Sequence, residues 1–325
     1  MSTFPLGNMS MEYEGYPSPS SSGRIRFDVG RDKPFETAYF VYGDLTSKIP
    51  PLVCLHGGPG ATCRYLAPLS VLQERYHIPV VMYDQIGCGQ STHLPETRGD
   101  TSFWTVDLFV DELRNLLFHL DITEYHLMGH SWGGLPMITF ALTKPTGLRS
   151  LIAYSTPASF PLRIECCKRQ YSDMGPEMGA LLMHAHKDGK SNTAEFKDAM
   201  NKFNRKHMCR LEVPPQPYLD VYPELARDDT VAMTLFGADL INMTGSLKNW
   251  DVTPDLCKIT PTTAPGGILV MNGWYDTTQD DATAAYFIKP SARVKWVQFA
   301  ESSHMAHMEE PERFTKTLGE FLQMA

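Results

Sequence analysis

The chain has 325 residues, 42% of them hydrophobic and 20% charged, with a formal net charge of −8; that is enough to bury a substantial core in one large domain with room for an insertion. The acidic balance without a basic cluster argues against nucleic acid or an anionic membrane as partner. No apolar run approaches the roughly 20 residues that span a bilayer, and the N-terminus lacks the basic-then-apolar pattern of a secretory signal.

Residues 1–23, with Pro17-Ser18-Pro19-Ser20-Ser21-Ser22-Gly23, show no periodicity, and a flexible N-terminal arm is expected there. From Arg24 the pattern turns strand-like: Ile25-Arg26-Phe27 alternates, and Thr37 to Tyr42 runs to a turn at Gly43-Asp44, an antiparallel entry to a sheet. Leu52-Val53-Cys54-Leu55 and Val80-Val81-Met82-Tyr83 read as buried strands. Val106, Phe109, Val110, Leu113, Leu116, Leu117 and Leu120 recur at helical spacing, which lays one face of a helix on the sheet. Tyr125 to Met128 is a further strand, Leu135 to Leu142 a helix-capable stretch, and Leu151 to Tyr154 another strand. Between Ser159 and Asp251 the alternation stops. The composition becomes polar, Met-rich and helix-prone, broken at Val213-Pro214-Pro215-Gln216-Pro217, as a helical cap inserted over a site reads. Ile268 to Met271 and Val294 to Phe299 are the last strands. The fold class is α/β, a mostly parallel sheet with helices on both faces, its core divided into 24–158 and 252–325 by the cap at 159–251. No internal repeat is apparent.

The chemistry sits at strand ends. Gly129-His130-Ser131-Trp132-Gly133 fits G-x-S-x-G, where a serine at a cramped strand-to-helix turn needs small residues two places either side. Upstream, His56-Gly57-Gly58-Pro59-Gly60 leaves the end of a strand, and glycine lets a backbone N–H approach a substrate with no Cβ in the way. The N–H groups of Gly58 and Trp132 are the candidate oxyanion hole, with Gly57 as the fallback for the first. Serine is a poor nucleophile at neutral pH, so it needs a base and a carboxylate to orient that base. Asp276, after the strand ending at Met271, is the candidate acid, and His304, after the strand ending at Phe299, the candidate base. The competitors are His307, one helical turn later, and Asp280 and Asp281, which read as carboxylates at a helix N-terminus. Trp132, Trp274 and Tyr275 form either an apolar wall for a ring-bearing substrate or simple core.

Together with Tyr83-Asp84-Gln85-Ile86-Gly87-Cys88-Gly89-Gln90-Ser91 and the tail Ser303-His304-Met305-Ala306-His307-Met308-Glu309-Glu310-Pro311, these motifs resemble the proline iminopeptidase family. That family is a branch of the α/β-hydrolases that includes tricorn-interacting aminopeptidases and L-amino acid amidases. The resemblance covers about residues 24 to 325. It implies the α/β-hydrolase fold, and it supports His304, five residues before Glu309, as the base. Such peptidases hold the substrate's free α-amine with a glutamate just after the triad aspartate and another shortly before a Gly-x-Leu-Lys-x-Trp-Asp segment. Here that segment is Gly245-Ser246-Leu247-Lys248-Asn249-Trp250-Asp251, but Thr277 and Leu240 stand where the acids are expected, which leaves Asp239 or Asp280 to take the role.

The expected activity is therefore that of a serine hydrolase cleaving an amide or peptide bond through an acyl-enzyme, releasing an N-terminal residue from a small molecule or short peptide. The alternative keeps the triad and acts as an esterase or lactonase on a specialised metabolite; a binding or scaffolding protein on a hydrolase fold is a third reading. Gly57, Asp239, Trp274 and Tyr275 are the candidate substrate contacts. No cofactor is required. His184 and His186 are two residues apart, so they do not share a helix face and do not make a metal pair. Seven cysteines, an odd number without metal-ligand spacing and with Cys166-Cys167 structural, point to reduced thiols in the cytoplasm.

Overall fold

The computed structural model describes residues 11–30 and 34–325. Among them the backbone forms one eight-stranded sheet in the order β1-β2-β4-β3-β5-β6-β7-β8. The strands are β1 (Ser21–Phe27), β2 (Phe35–Tyr42), β3 (Leu52–Leu55), β4 (Val80–Asp84), β5 (Tyr125–His130), β6 (Leu148–Tyr154), β7 (Gly267–Gly273) and β8 (Val294–Phe299). β1 and β2 enter antiparallel, β2 also pairing antiparallel with β4, and all later pairings are parallel.

Parallel strands covered on both faces read as continuous apolar runs, because alternate side chains go to opposite layers. Leu52, Cys54, Met82, Met128, Ile152 and Met271 share one layer with Phe314, Leu318 and Phe321 of the C-terminal helix. Val53, Leu55, Val81, Leu127, Leu151 and Val270 share the other with Val110, Leu113, Leu116 and Leu117. Each leucine so buried contributes about 2 kcal/mol. The helices of the core are α1 (Val71–Tyr76), α2 (Val106–His119) and α3 (Gly134–Leu142). The start of α2 is capped by the Thr105 side chain, which accepts from Leu108 N at 3.2 Å.

Between β6 and β7 come six helices, α4 (Phe160–Ser172), α5 (Pro176–His184), α6 (Ala194–His207), α7 (Gln216–Leu219), α8 (Val221–Arg227) and α9 (Thr230–Leu235). The chain leaves and re-enters the core at one neck: Ser159 bridges Asp251 antiparallel, Phe160 N donates to Trp250 O at 2.9 Å, and Val252 N to Ala158 O at 2.9 Å. Phe160, Ile164, Tyr171, Leu182 and Phe203 of this insertion pack in one cluster with Trp104, Phe109, Trp132 and Leu135 of the core, so the two share an interior. After β7 follow α10 (Asp280–Thr283) and α11 (Ala285–Ile288), and after β8, α12 (Ala306–Glu309) and α13 (Pro311–Gln323). No helix among the described residues is long and apolar enough to cross a membrane.

The expected flexible arm over 1–23 needs correction where it can be compared, residues 1–10 lying outside the described residues. Met11 is buried in the core, Tyr13 donates its hydroxyl to Asp220 in the insertion at 2.8 Å, and β1 begins at Ser21, paired with Val41. Ladder hydrogen bonds to β2 override the weak strand preference of Ser21-Ser22-Gly23.

Candidate active site

Ser131 follows directly on β5 and has φ of 53°, a left-handed conformation that costs a non-glycine residue about 1–2 kcal/mol. The surroundings impose it. A Cβ at Gly129 would lie 2.3 Å from Gly134 Cα, and one at Gly133 2.2 Å from the Leu55 carbonyl oxygen, so only glycine allows β5, α3 and β3 to approach this closely. Thr156 Oγ1 donates to Ser131 O at 2.7 Å and fixes the turn from β6.

Asp276 and His304 leave the ends of β7 and β8 and are both buried. Asp276 Oδ1 accepts from His304 Nδ1 at 2.7 Å and from Thr278 N at 2.8 Å. A carboxylate only accepts, so the imidazole carries its proton on Nδ1, which leaves Nε2 as an acceptor. The loop bearing His304 is held by Glu309, which accepts from Ser303 N at 2.7 Å, Ser303 Oγ at 2.6 Å and, across from the insertion, Arg210 N at 2.6 Å. Burial pushes the Glu309 carboxyl above its ordinary value, with these hydrogen bonds opposing.

Behind the serine, His130 joins three loops. Its Nε2 donates to the His304 carbonyl at 3.0 Å, so Nδ1 accepts, and the partner at 2.7 Å is the Tyr65 hydroxyl. That hydroxyl in turn accepts from Gly57 N at 2.6 Å. Burial drives His130 well below its ordinary pKa, which keeps the ring neutral and the donor directions fixed. His307 lies beside this network, donating from Nε2 to Tyr65 O at 2.9 Å, with Nδ1 facing the Tyr154 hydroxyl at 2.9 Å. Burial lowers its pKa to about 4. It has no contact with Asp276 and reads as a neutral strut. Asp280 accepts from Asn272 and Gln298, and Asp281 pairs with Arg169 at 2.6 Å.

Ser131, His304, Gly57 and Gly58 line one cavity of about 280 Å³. Gly57 N–H is engaged by Tyr65, so the fallback oxyanion donor is not free. Gly58, with φ of 124°, faces the cavity, and Trp132 is in the first turn after the serine, where backbone N–H groups have no intrahelical acceptor. The Trp132 ring itself is core, its Nε1 donating to Gln85 Oε1 at 2.7 Å.

The expected substrate contacts fare unevenly. Trp274 is 58% exposed and, like Tyr275, does not line the cavity. The Tyr275 ring is covered by the Arg210 guanidinium, whose carbon lies 3.6 Å from the ring centre. Asp239 does not line the cavity either, because its two oxygens accept from Ile241 N at 2.9 Å and Asn242 Nδ2 at 2.7 Å within its own turn. The walls come instead from Met208, Tyr218, Leu225, Phe236 and Leu240 of the insertion, from Tyr65, and from Arg163. The signal for Arg163 was present as a cation on the apolar stripe Phe160, Ile164 and Cys167 of a helix. Among the described residues no group of three or more His, Cys, Asp or Glu side chains could hold a metal ion.

A family model described as alpha/beta hydrolase fold matches residues 50–170. A proline iminopeptidase of Heyndrickxia coagulans is 33% identical over 84% of this chain and 90% of its own length. One from Saccharolobus solfataricus is 33% identical over 83% of this chain and 84% of its own. Among solved structures, proline iminopeptidase of Mycobacterium smegmatis superposes with a TM-score of 0.85 at 32% identity, covering 93% of this chain and 98% of that one. VinJ superposes with a TM-score of 0.86 at 36% identity, covering 94% and 99%.

Proposed function

The chain belongs to the proline iminopeptidase family of α/β-hydrolases, and from that premise we propose that it is a serine aminopeptidase that releases N-terminal proline from small substrates, with Ser131, His304 and Asp276 as its triad. The observation that carries the reading is the Asp276–His304 hydrogen bond, 2.7 Å long, at the wall of the cavity into which the strained Ser131 turn opens.

In this reading His304 Nε2 takes the Ser131 hydroxyl proton as Oγ attacks the scissile carbonyl carbon, while Asp276 holds the Nδ1–H tautomer and stabilises the imidazolium that forms. The oxyanion falls to the N–H groups of Gly58 and Trp132, a donor of this kind being worth about 3 kcal/mol in the transition state. The intermediate collapses, the C–N bond breaks, and His304 returns the proton to the departing amine. Water then attacks the prolyl ester with His304 again as base, and the Ser131 hydroxyl is regenerated. Reduced thiols, six of the seven buried, are consistent with a cytoplasmic enzyme.

The test is hydrolysis of proline arylamide by the wild type and by Ser131→Ala. The variant is expected to fold and to lose turnover, and acetylation of the substrate amine is expected to abolish hydrolysis by the wild type. Turnover by purified Ser131→Ala refutes the serine's role; p-nitrophenyl ester turnover without arylamide turnover favours an esterase.

A further inference from the structure

We propose that Arg163 is the recognition group for a carboxylate on the leaving side of the substrate, so that the preferred substrates are short peptides with a free C-terminal carboxylate, dipeptides foremost. The inference rests on the aminopeptidase reading above and gives that reading a substrate class.

Arg163 is 6% exposed and lines the same cavity as Ser131 and His304. Its guanidinium carbon lies 5.9 Å from the ring centre of Phe160 and 5.6 Å from that of Phe236. Among the described residues no carboxylate forms an ion pair with it, and its Nη1 is buried without a hydrogen-bond partner. A guanidinium does not shed its proton. Burying one without a counter-ion is costly, so a site that keeps such a group gains strongly from an anion brought to it.

The protein's own acids do not fill that place. Asp239 is close enough for its charge and that of Arg163 both to act on Tyr171, yet its carboxylate is committed to Ile241 N and Asn242 Nδ2. No Asp or Glu is among the residues that line the cavity. The unmet charge there is positive, so the matching charge on a ligand is negative.

Geometry narrows the ligand further. The guanidinium carbon lies 5.9 and 5.6 Å from two phenyl ring centres that offer it no hydrogen-bond acceptor, and its planar fork of N–H donors matches a carboxylate in two-pronged fashion. In an aminopeptidase the acyl side is a single residue whose one charged group is its amine, which places the carboxylate on the leaving amine. A cavity of about 280 Å³ that holds both the scissile bond and that carboxylate suits a dipeptide-sized substrate.

The experiment compares kcat/KM for a prolyl dipeptide with a free C-terminus against its C-terminal amide, in the wild type and in Arg163→Gln, Arg163→Met and Arg163→Lys. The wild type is expected to favour the free acid by roughly 10- to 100-fold, mainly through KM. That preference is expected to fall towards one in Arg163→Gln and Arg163→Met, and to be partly kept in Arg163→Lys. The ratio is taken within each protein, so a reduced folded fraction cancels, and fluorophosphonate labelling of Ser131 counts the competent molecules. A wild type that hydrolyses acid and amide equally overturns the inference while leaving the aminopeptidase intact, as does a preference that survives in Arg163→Gln. Failure to hydrolyse the dipeptide, its amide and proline arylamide alike sinks the aminopeptidase reading, and this inference with it.

Discussion

Replacing Tyr65 by phenylalanine tests whether the hydroxyl behind the serine holds the site together. The ring is 2% exposed and sits against His130 and His307 at centroid distances of 5.3 and 6.0 Å, packing that phenylalanine keeps. The backbone carbonyl of residue 65 also still accepts from His307. What disappears is the acceptor for Gly57 N–H and the donor to His130 Nδ1. Each buried group left unpaired costs about 1–3 kcal/mol, so Tyr65→Phe, which leaves two, is expected to lose about 2–6 kcal/mol of stability. The loop that carries Gly58 loses its tether as well. A misplacement of about 1 Å at a reacting centre costs about 100-fold, so kcat is expected to fall by roughly 10- to 100-fold with KM little changed. Urea unfolding gives the first quantity, and steady-state hydrolysis of proline arylamide the second. If the variant unfolds within about 0.5 kcal/mol of wild type, the range of an ordinary surface change, and kcat stays within twofold, the network carries no weight and the reasoning is wrong.

Asp276→Ala is expected to lower kcat by about 10⁴, because nothing then holds the Nδ1–H tautomer of His304 or stabilises the imidazolium; a loss under tenfold contradicts the assigned role. Glu112 gives a pH-dependent prediction. Its Oε1 accepts from Thr37 Oγ1 at 2.6 Å and Ile86 N at 2.8 Å, Oε2 has no partner among the described residues, and burial raises its pKa from 4.5 to about 8. The folded chain therefore holds this proton more tightly than the unfolded one. The stability it contributes is complete below pH 4.5 and is lost as pH rises through about 8, by at most about 5 kcal/mol. Glu112→Gln is expected to flatten this decline between pH 5 and 9 in urea titrations, and an equal slope in both proteins shows that Glu112 does not cause it.

The strands were legible because their chemistry is local. A strand such as Leu52–Leu55 shows as an apolar run between turn residues, since both of its faces are buried. The serine turn was legible for a different reason: its G-x-S-x-G pattern is visible in the sequence, although Gly129 is dictated by Gly134 nearby and Gly133 by Leu55 of a neighbouring strand. The cavity was not legible. Whether Trp274 turns inward or outward depends on how the chain leaves β7, and its exposure is set by the neighbouring loops rather than by its apolar character. Asp239 looked available as an acid, yet a turn two residues long satisfies it. Arg163 reaches the cavity only because α4 and the segment ending in Phe236 meet there, a pairing of positions far apart in the chain. At the N-terminus, Met11 gained its buried place from surfaces that residues 17–23 do not encode.

The single crossing at Ser159 and Asp251 separates two kinds of change. Ser131 precedes it, Asp276 and His304 follow it, and all three hang from strands whose spacing the sheet dictates. Everything threaded between is a closed loop whose ends already meet, so lengthening or recomposing it carries little extra entropic cost. Exchange of that stretch, with the surface around Trp104 and Trp132 kept apolar and the hydrogen bonds from Gln170 to Asp276 O and from Arg210 N to Glu309 retained, is expected to alter which molecules are admitted while leaving the proposed triad in place.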